Sequence, residues 1–81
     1  MTGEGPHLVT KYLVRLRFVA DGPRVEGEWT VLDTARSRYT EWIGLYSKNP
    51  AAVIQLIEQT DGQEHVLRTW TVRGETTPEA P

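Results

Sequence analysis

The sequence has no cysteine, only two histidines, and no apolar run of the ~20 residues that a membrane-spanning helix needs. The absence of cysteine excludes disulfides, thiolate metal sites and cysteine nucleophiles. His7 and His65 would need several clustered carboxylates to hold a zinc ion, and the sequence places none suitably near them. The sequence therefore predicts no metal, no cofactor and no membrane span.

Strong charge of either sign is also missing. A net charge of −2 and a pI of about 5.6 give no general attraction to phosphate backbones or anionic membranes. Residues 1–6 have neither the basic nor the apolar region of a secretion signal. We therefore expect a cytoplasmic protein for which nucleic acid is not the main partner.

With 81 residues, the chain has room for one small domain. Residues 1–9 and 74–81 are rich in Gly, Pro, Thr and Glu, which is typical of flexible tails. The sequence thus predicts a tail at each end and a single domain over residues 10–73.

Two Asp-Gly pairs, Asp21-Gly22 and Asp61-Gly62, stand between runs of alternating apolar and polar residues. An Asp-Gly pair in this setting is the strongest short-range signal of a β-hairpin. The two hairpins comprise predicted strands over residues 11–19, 24–32, 52–60 and 63–72.

The first hairpin is expected to have a four-residue loop over residues 20–23. This register places Arg17 beside Glu26 and Arg15 beside Glu28, and it gives both faces of the hairpin a consistent character.

A two-residue turn in the second hairpin pairs Ile57 with Val66 and Val53 with Trp70. Because Trp70 is the largest apolar side chain there, its face, with Val53 and Ile57, is expected to lie under the helix. The opposite face, exposed to solvent, then carries Ala52, Ile54, Leu56, Leu67 and Thr69.

Between the hairpins, the spacing predicts a helix over residues 34–47 with Asp33 as its N-cap. Its apolar stripe consists of Ala35, Tyr39, Trp42 and Tyr46, and Pro50 prevents its continuation. The fold class is α+β, of ββαββ type: a four-stranded antiparallel sheet of order 2-1-3-4 with one helix on one face. The expected core consists of Tyr12, Val14, Leu16, Phe18, Trp29, Tyr39, Trp42, Ile43, Tyr46, Val53, Ile57 and Trp70.

Catalysis has one weak candidate, His65 beside Glu58, which has no third group to complete a reactive site. Tyr39, Trp42 and Tyr46 could stack on a planar ligand, but their helical spacing favours a role in the core. The sequence accordingly predicts that the protein is not an enzyme.

Arg15 and Arg17 on an open sheet face resemble the way sheet-faced RNA binders present residues, but Glu26 and Glu28 cancel their charge. Gly44, in the middle of the helix, is either tolerated drift or a place where a partner backbone comes close.

The helix-free face is the expected binding surface. It is predicted to bring together Leu13, Ile54, Leu56 and Leu67, with Arg15 and Arg17 beside them. Contiguous exposed apolar area of this kind marks an interface, unless residues 8–9 of the N-terminal tail cover it.

Three segments, Glu26–Thr30, Tyr39–Trp42 and Val66–Trp70, resemble small uncharacterised proteins of high-GC actinobacteria and of their phages or integrative elements. This resemblance implies a ββαββ fold and an intracellular accessory protein, and it supplies no activity and no functional residues. The expected function is a non-enzymatic interaction module that binds a protein partner or a second copy of itself. The alternative is a nucleic-acid-associated accessory factor of a phage or mobile element.

Overall fold

A computed structural model gives the fold of residues 10–18 and 24–77. Its elements in chain order are β1 (Thr10–Arg17), β2 (Arg24–Trp29), α1 (Leu32–Tyr46), β3 (Val53–Thr60), β4 (Gln63–Thr71) and β5 (Gly74–Thr76). The strands form one antiparallel sheet in the order β2-β1-β3-β4-β5. The α+β class and the antiparallel sheet with one helix are confirmed, and the predicted four strands gain a fifth at the β4 edge.

The second hairpin closes as its turn residues predict. Asp61 and Gly62 have φ angles of 55° and 85°, and two consecutive positive values define the type I′ turn that suits a two-residue hairpin loop. Next to the turn, Ile57 pairs with Val66 and Glu58 with His65, both as predicted.

Beyond Ile57 the register of this hairpin shifts by one residue. Leu56 pairs with Arg68, and Leu67 is the additional residue of a β-bulge. The bulge aligns Trp70 with Ile54, whereas a regular ladder would align it with Val53. A shift of one residue exchanges the two faces of a strand, so Trp70 shares its face with the even-numbered residues of β3.

This exchange overturns the predicted faces of β3. Ile54 and Leu56, expected on the helix-free face, belong to the core cluster under α1 and are 0% and 1% exposed. Val53 and Ile57, expected under the helix, pair with Arg17 and Leu13 on the helix-free face. Trp70 does pack against the cluster under the helix, as predicted.

The first hairpin keeps its predicted faces but not its register. Arg17 pairs with Arg24, Arg15 with Glu26, and Leu13 with Glu28, a slip of two residues from the prediction. A slip of two leaves every side chain on its original face, which is why the alternation pattern did not distinguish the registers. The predicted Asp21-Gly22 turn lies outside the described residues.

The helix begins two residues earlier than predicted. Val31 is its N-cap and makes no capping side-chain bond, and Asp33, predicted as the cap, lies in the first turn. A carboxylate in the first turn still interacts favourably with the helix dipole. The predicted stripe does face the sheet, since Ala35 and Tyr39 are buried and Trp42 packs against the same cluster.

Most of the core lies between α1 and the sheet. Its buried residues are Val14, Leu16, Ala35, Tyr39, Ala52, Ile54 and Leu56. Partly buried side chains packed against them are Tyr12, Phe18, Trp29, Leu32, Trp42, Ile43, Tyr46, Leu67 and Trp70. Leu13 and Ile57 are also buried, but on the helix-free face.

Strand β5, Gly74–Thr76, lies within the segment predicted as a C-terminal tail and pairs with β4. Gly74 has a φ of 126°, a conformation that favours glycine, and it directs the chain back along β4. The predicted N-terminal tail, residues 1–9, and residues 78–81 lie outside the described residues.

Candidate interaction surfaces

Three of the six residues predicted to bind a partner share the helix-free face. Leu13, Arg15 and Arg17 alternate along β1 on this side of the sheet. The other three do not join them: Ile54 and Leu56 are core residues, and Leu67 packs against the core cluster from its bulge position. The structure therefore does not assemble the predicted apolar patch.

The helix-free face is instead crossed by ion pairs centred on Arg15. Its Nε donates to the Glu26 carboxylate, and its Nη2 donates to Glu64 Oε2 at 2.8 Å. The Arg15 side chain is 13% exposed, which is low for an arginine on an open sheet.

The bond between Arg15 and Glu64 crosses a row of apolar side chains. In the register, Leu13, Ile57 and Val66 lie side by side on β1, β3 and β4. Arg15 follows Leu13 on one side of this row, and Glu64 lies on the other side of it. Their side chains must therefore extend over the row, and Leu13 and Ile57 are accordingly 3% and 0% exposed.

This ion pair shifts the pKa values of both partners. The hydrogen bond from Arg15 lowers the pKa of Glu64, with a smaller contribution from the charge of Arg24. The hydrogen bond to Glu64 likewise raises the already high pKa of Arg15. Arg15 is thus committed to two carboxylates of its own chain.

A second polar cluster lies on the helix side, where β5 meets α1. The hydroxyl of Tyr39 donates to Glu75 Oε2 at 2.8 Å, and Arg68 Nη1 donates to Glu75 Oε1 at 3.1 Å. Burial, and then the bond to Glu75, raise the pKa of Tyr39. Each member of the cluster is bonded within the chain, so it fastens β5 to the helix.

His65 and Glu58 are register partners, as predicted. His65 is exposed at the end of β4 next to the turn. The position suits an ordinary cross-strand pair of polar residues.

A further apolar surface lies between β2 and the helix. The indole rings of Trp29 and Trp42 meet edge to face, with centroids 6.4 Å apart. Trp29 lies over Gly27, where an added Cβ would stand 2.8 Å from the ring carbon Cζ3. Gly27 therefore leaves the space in which the indole ring lies.

Two exposed aliphatic side chains extend this surface. Val25 is 53% exposed and lies on the same face of β2 as Gly27 and Trp29. Leu45, 67% exposed, follows Trp42 by three residues and so lies on the same flank of α1. We call Val25, Trp29, Trp42 and Leu45 the β2 flank.

The outer edge of β2 borders this flank. Among the described residues no strand pairs with that edge, so β2 is an end strand of the sheet. A shallow cleft of about 320 Å³, lined by Lys11, Glu28, Trp29 and Thr30, adjoins its C-terminal end. The β2 flank was not predicted from the sequence, although the predicted strand order already placed β2 at an edge.

Within residues 10–18 and 24–77, no three His, Asp or Glu side chains are grouped so that they could hold a metal ion. None of the helices described in this part of the chain has the length and apolar character needed to cross a membrane. Comparison of the chain with protein-family models, curated proteins and solved structures finds no match. The resemblance to small actinobacterial and phage proteins therefore stays a prediction.

Proposed function

We propose that this chain is a non-enzymatic protein-interaction module of the cytoplasm that binds its partner through the β2 edge and the β2 flank. The observation that carries the proposal is the 53% exposure of Val25 on an end strand of the sheet, together with the 67% exposure of Leu45 on the helix flank whose Trp42 contacts Trp29 of that strand. Exposed apolar side chains next to unpaired backbone groups provide both the area and the hydrogen bonds of a strand-addition interface.

The β2 edge takes the place of the helix-free face as the proposed surface. On that face, the ion pair of Arg15 and Glu64 covers Leu13 and Ile57, so little apolar area is left for a partner. An end strand presents unpaired N–H and C=O groups with which another chain can pair. Glu26 and Glu28 leave β2 accessible to a complementary strand while discouraging unspecific association.

The perturbed groups support a non-enzymatic role. Burial is the main cause of the raised pKa of Tyr39, and hydrogen bonds are the main cause of the shifted pKa values of Glu64 and Arg15. The hydrogen bonds of all three groups join strands or a strand and the helix. Perturbed groups that are bonded in this way occur in structural networks as well as in active sites. The two clusters stabilise the sheet on which the β2 edge is presented.

Affinity capture from the native host tests the proposal. The wild-type chain is compared with the double variant Val25→Glu/Leu45→Glu and with a matched control, Val72→Glu, whose valine is 55% exposed in the turn before β5. We expect proteins retained by the wild type and by the control to be lost from the double variant. Equal retention by all three chains, with unchanged circular dichroism, would contradict the proposed surface.

A binding assay addresses the nucleic-acid alternative. Fluorescence anisotropy with mixed DNA and RNA at low salt should show no binding by a protein-interaction module. An accessory factor that contacts phosphates would instead bind with micromolar affinity that falls steeply as salt is added. That outcome would replace the present proposal by the alternative.

A further inference from the structure

We infer that the partner of the β2 edge is a second copy of this chain, paired antiparallel through β2 about a two-fold axis. The inference rests on the function proposed above and identifies the occupant of the same surface. An isologous pair of this kind would join two five-stranded sheets into one continuous sheet.

Two copies of β2 that run antiparallel can place complementary residues opposite each other. Only registers that pair residues of like face are compatible with the sheet, because side chains alternate between its two faces. Among these, a register centred on Glu26 aligns the longest stretch with opposite charges, from Arg24 to Glu28. It places Arg24 of each copy opposite Glu28 of the other, and both residues lie on the helix-free side.

The helix side of this register is equally complementary. Val25 of one copy comes opposite Gly27 of the other, over which the Trp29 ring of that other copy lies. The exposed Val25 thus meets an aromatic ring twice in the dimer. A register centred on Gly27 would instead place Glu26 opposite Glu28 in both halves, which repulsion opposes.

Glu26 faces its own counterpart at the two-fold axis. Each Glu26 accepts a charge-assisted hydrogen bond from Arg15 of its own chain, which offsets part of this repulsion. A single short strand buries little area, so the dimer belongs to the smallest class of interfaces, below about 1,200 Å² in total. We therefore expect it to form in the micromolar range.

Sedimentation analysis over about 5–500 µM tests the inference. The wild type should pass from monomer to dimer in this range. Arg24→Glu and Glu28→Arg should each weaken the dimer by about tenfold or more, because each places like charges opposite each other. The double variant Arg24→Glu/Glu28→Arg restores the opposite charges and should restore the dimer.

A weaker dimer can be assigned to the lost charge pair only if the variant still folds and an unrelated charge change has no effect. Arg24 is the register partner of Arg17 within the monomer, so Arg24→Glu replaces two like charges with opposite charges and the variant should keep its fold. Arg73→Glu, a change of the same charge at an exposed site in the turn before β5, serves as the control and should leave the dimer unchanged.

A wild type that stays monomeric throughout would overturn the inference, as would a dimer that neither single charge variant weakens. A monomeric chain that still captures host proteins in a manner dependent on Val25 and Leu45 would leave the proposed function standing. If the monomeric chain also captures no host protein in this manner, both the β2 dimer and the proposed function are contradicted.

Discussion

The hydroxyl of Tyr39 on α1 donates a hydrogen bond of 2.8 Å to the carboxylate of Glu75 on β5, joining the helix to the last strand. Tyr39 is 2% exposed, so its hydroxyl depends on this bond for a partner. The same carboxylate accepts from Arg68 on β4, and so holds β5 against its neighbour. The Glu75 side chain thus adds to the backbone pairing of β5 with β4 and connects this short strand to the helix.

Removal of the Tyr39 hydroxyl should loosen β5. We expect Tyr39→Phe to lower the free energy of unfolding by about 1–2 kcal/mol, because one buried hydrogen bond is lost while the ring still fills the core. Hydrogen exchange should accelerate at the β5 amides more than at those of β1. Unchanged protection of β5 would show that Glu75 does not anchor it.

The same pair predicts a loss of stability in alkali. The folded state raises the pKa of Tyr39, so it keeps the phenol proton to a higher pH than the unfolded chain does. The contribution is complete below about pH 10, the ordinary pKa of tyrosine, and is lost as the pH rises further. Urea midpoints from pH 8 to 11 should fall less steeply for Tyr39→Phe than for the wild type; parallel curves would contradict the prediction.

The lowered pKa of Glu64 predicts that the folded state also loses stability in acid. Arg15 lowers its pKa in the folded state, so this stabilisation is present above the ordinary glutamate value of 4.5 and is lost as the pH falls through the lower, folded value. Glu64→Gln should therefore lose less stability than the wild type between pH 5 and pH 2.

Arg15→Met supplies the control for Glu64, because it removes the source of the shift. It should flatten the acid limb in the same way, and the double variant should resemble either single one. Additive effects of the two substitutions would mean that Arg15 and Glu64 do not act as a pair.

Two glycines should respond in opposite directions to alanine. Gly27→Ala brings a methyl group into the space of the Trp29 ring and should cost about 1–3 kcal/mol. Gly44 lies exposed in α1, and beyond the local helix backbone nothing comes within 4 Å of an added Cβ, so Gly44→Ala should stabilise the helix by up to about 1 kcal/mol. Thermal unfolding measures both, and a stable Gly27→Ala variant with an unshifted Trp29 fluorescence would argue against this ring position.

Truncation of Trp42 should lower the free energy of unfolding more than most substitutions in the helix. It packs against the core and meets Trp29 edge to face, so Trp42→Ala should cost about 3–5 kcal/mol. A double-mutant cycle with Trp29→Ala should give a coupling of about 0.5–1.5 kcal/mol. Leu45→Ala, at an exposed position on the same flank, is the control and should change stability by less than about 0.5 kcal/mol.

The parts of the fold that were predictable depend on local chemistry. Asp61-Gly62 specifies its turn through two positive φ angles, and the spacing of Ala35, Tyr39 and Trp42 specifies the buried side of the helix. The register of the first hairpin was not predictable, since alternation leaves slips of two residues equivalent and both registers place Arg15 beside a glutamate.

The β-bulge at Leu67 accounts for the largest difference between the predicted and the observed fold. It contains no glycine, and the consecutive apolar residues Val66 and Leu67, which do break the alternation of β4, do not by themselves specify a bulge, yet the bulge decides which side of β3 faces the helix. For this reason Ile54 and Leu56, predicted to belong to the binding patch, lie in the core. β5 was missed because Gly74, Glu75 and Thr76 have no strand pattern of their own, and their order comes from contact with β4 and Tyr39.

The central position of β1 in the sheet has a consequence for the kinetics of folding. Thr10 on β1 pairs with Thr60 on β3, 50 residues further along the chain. In sequence, β2 and the whole helix separate these two neighbouring strands. Local hairpins close in about 1–10 µs, whereas folds dominated by such distant pairings need about milliseconds to seconds. We therefore expect the docking of β1 on β3 to limit the folding rate, so that substitutions at Val14 or Leu56 slow folding more than those in the Asp61-Gly62 turn.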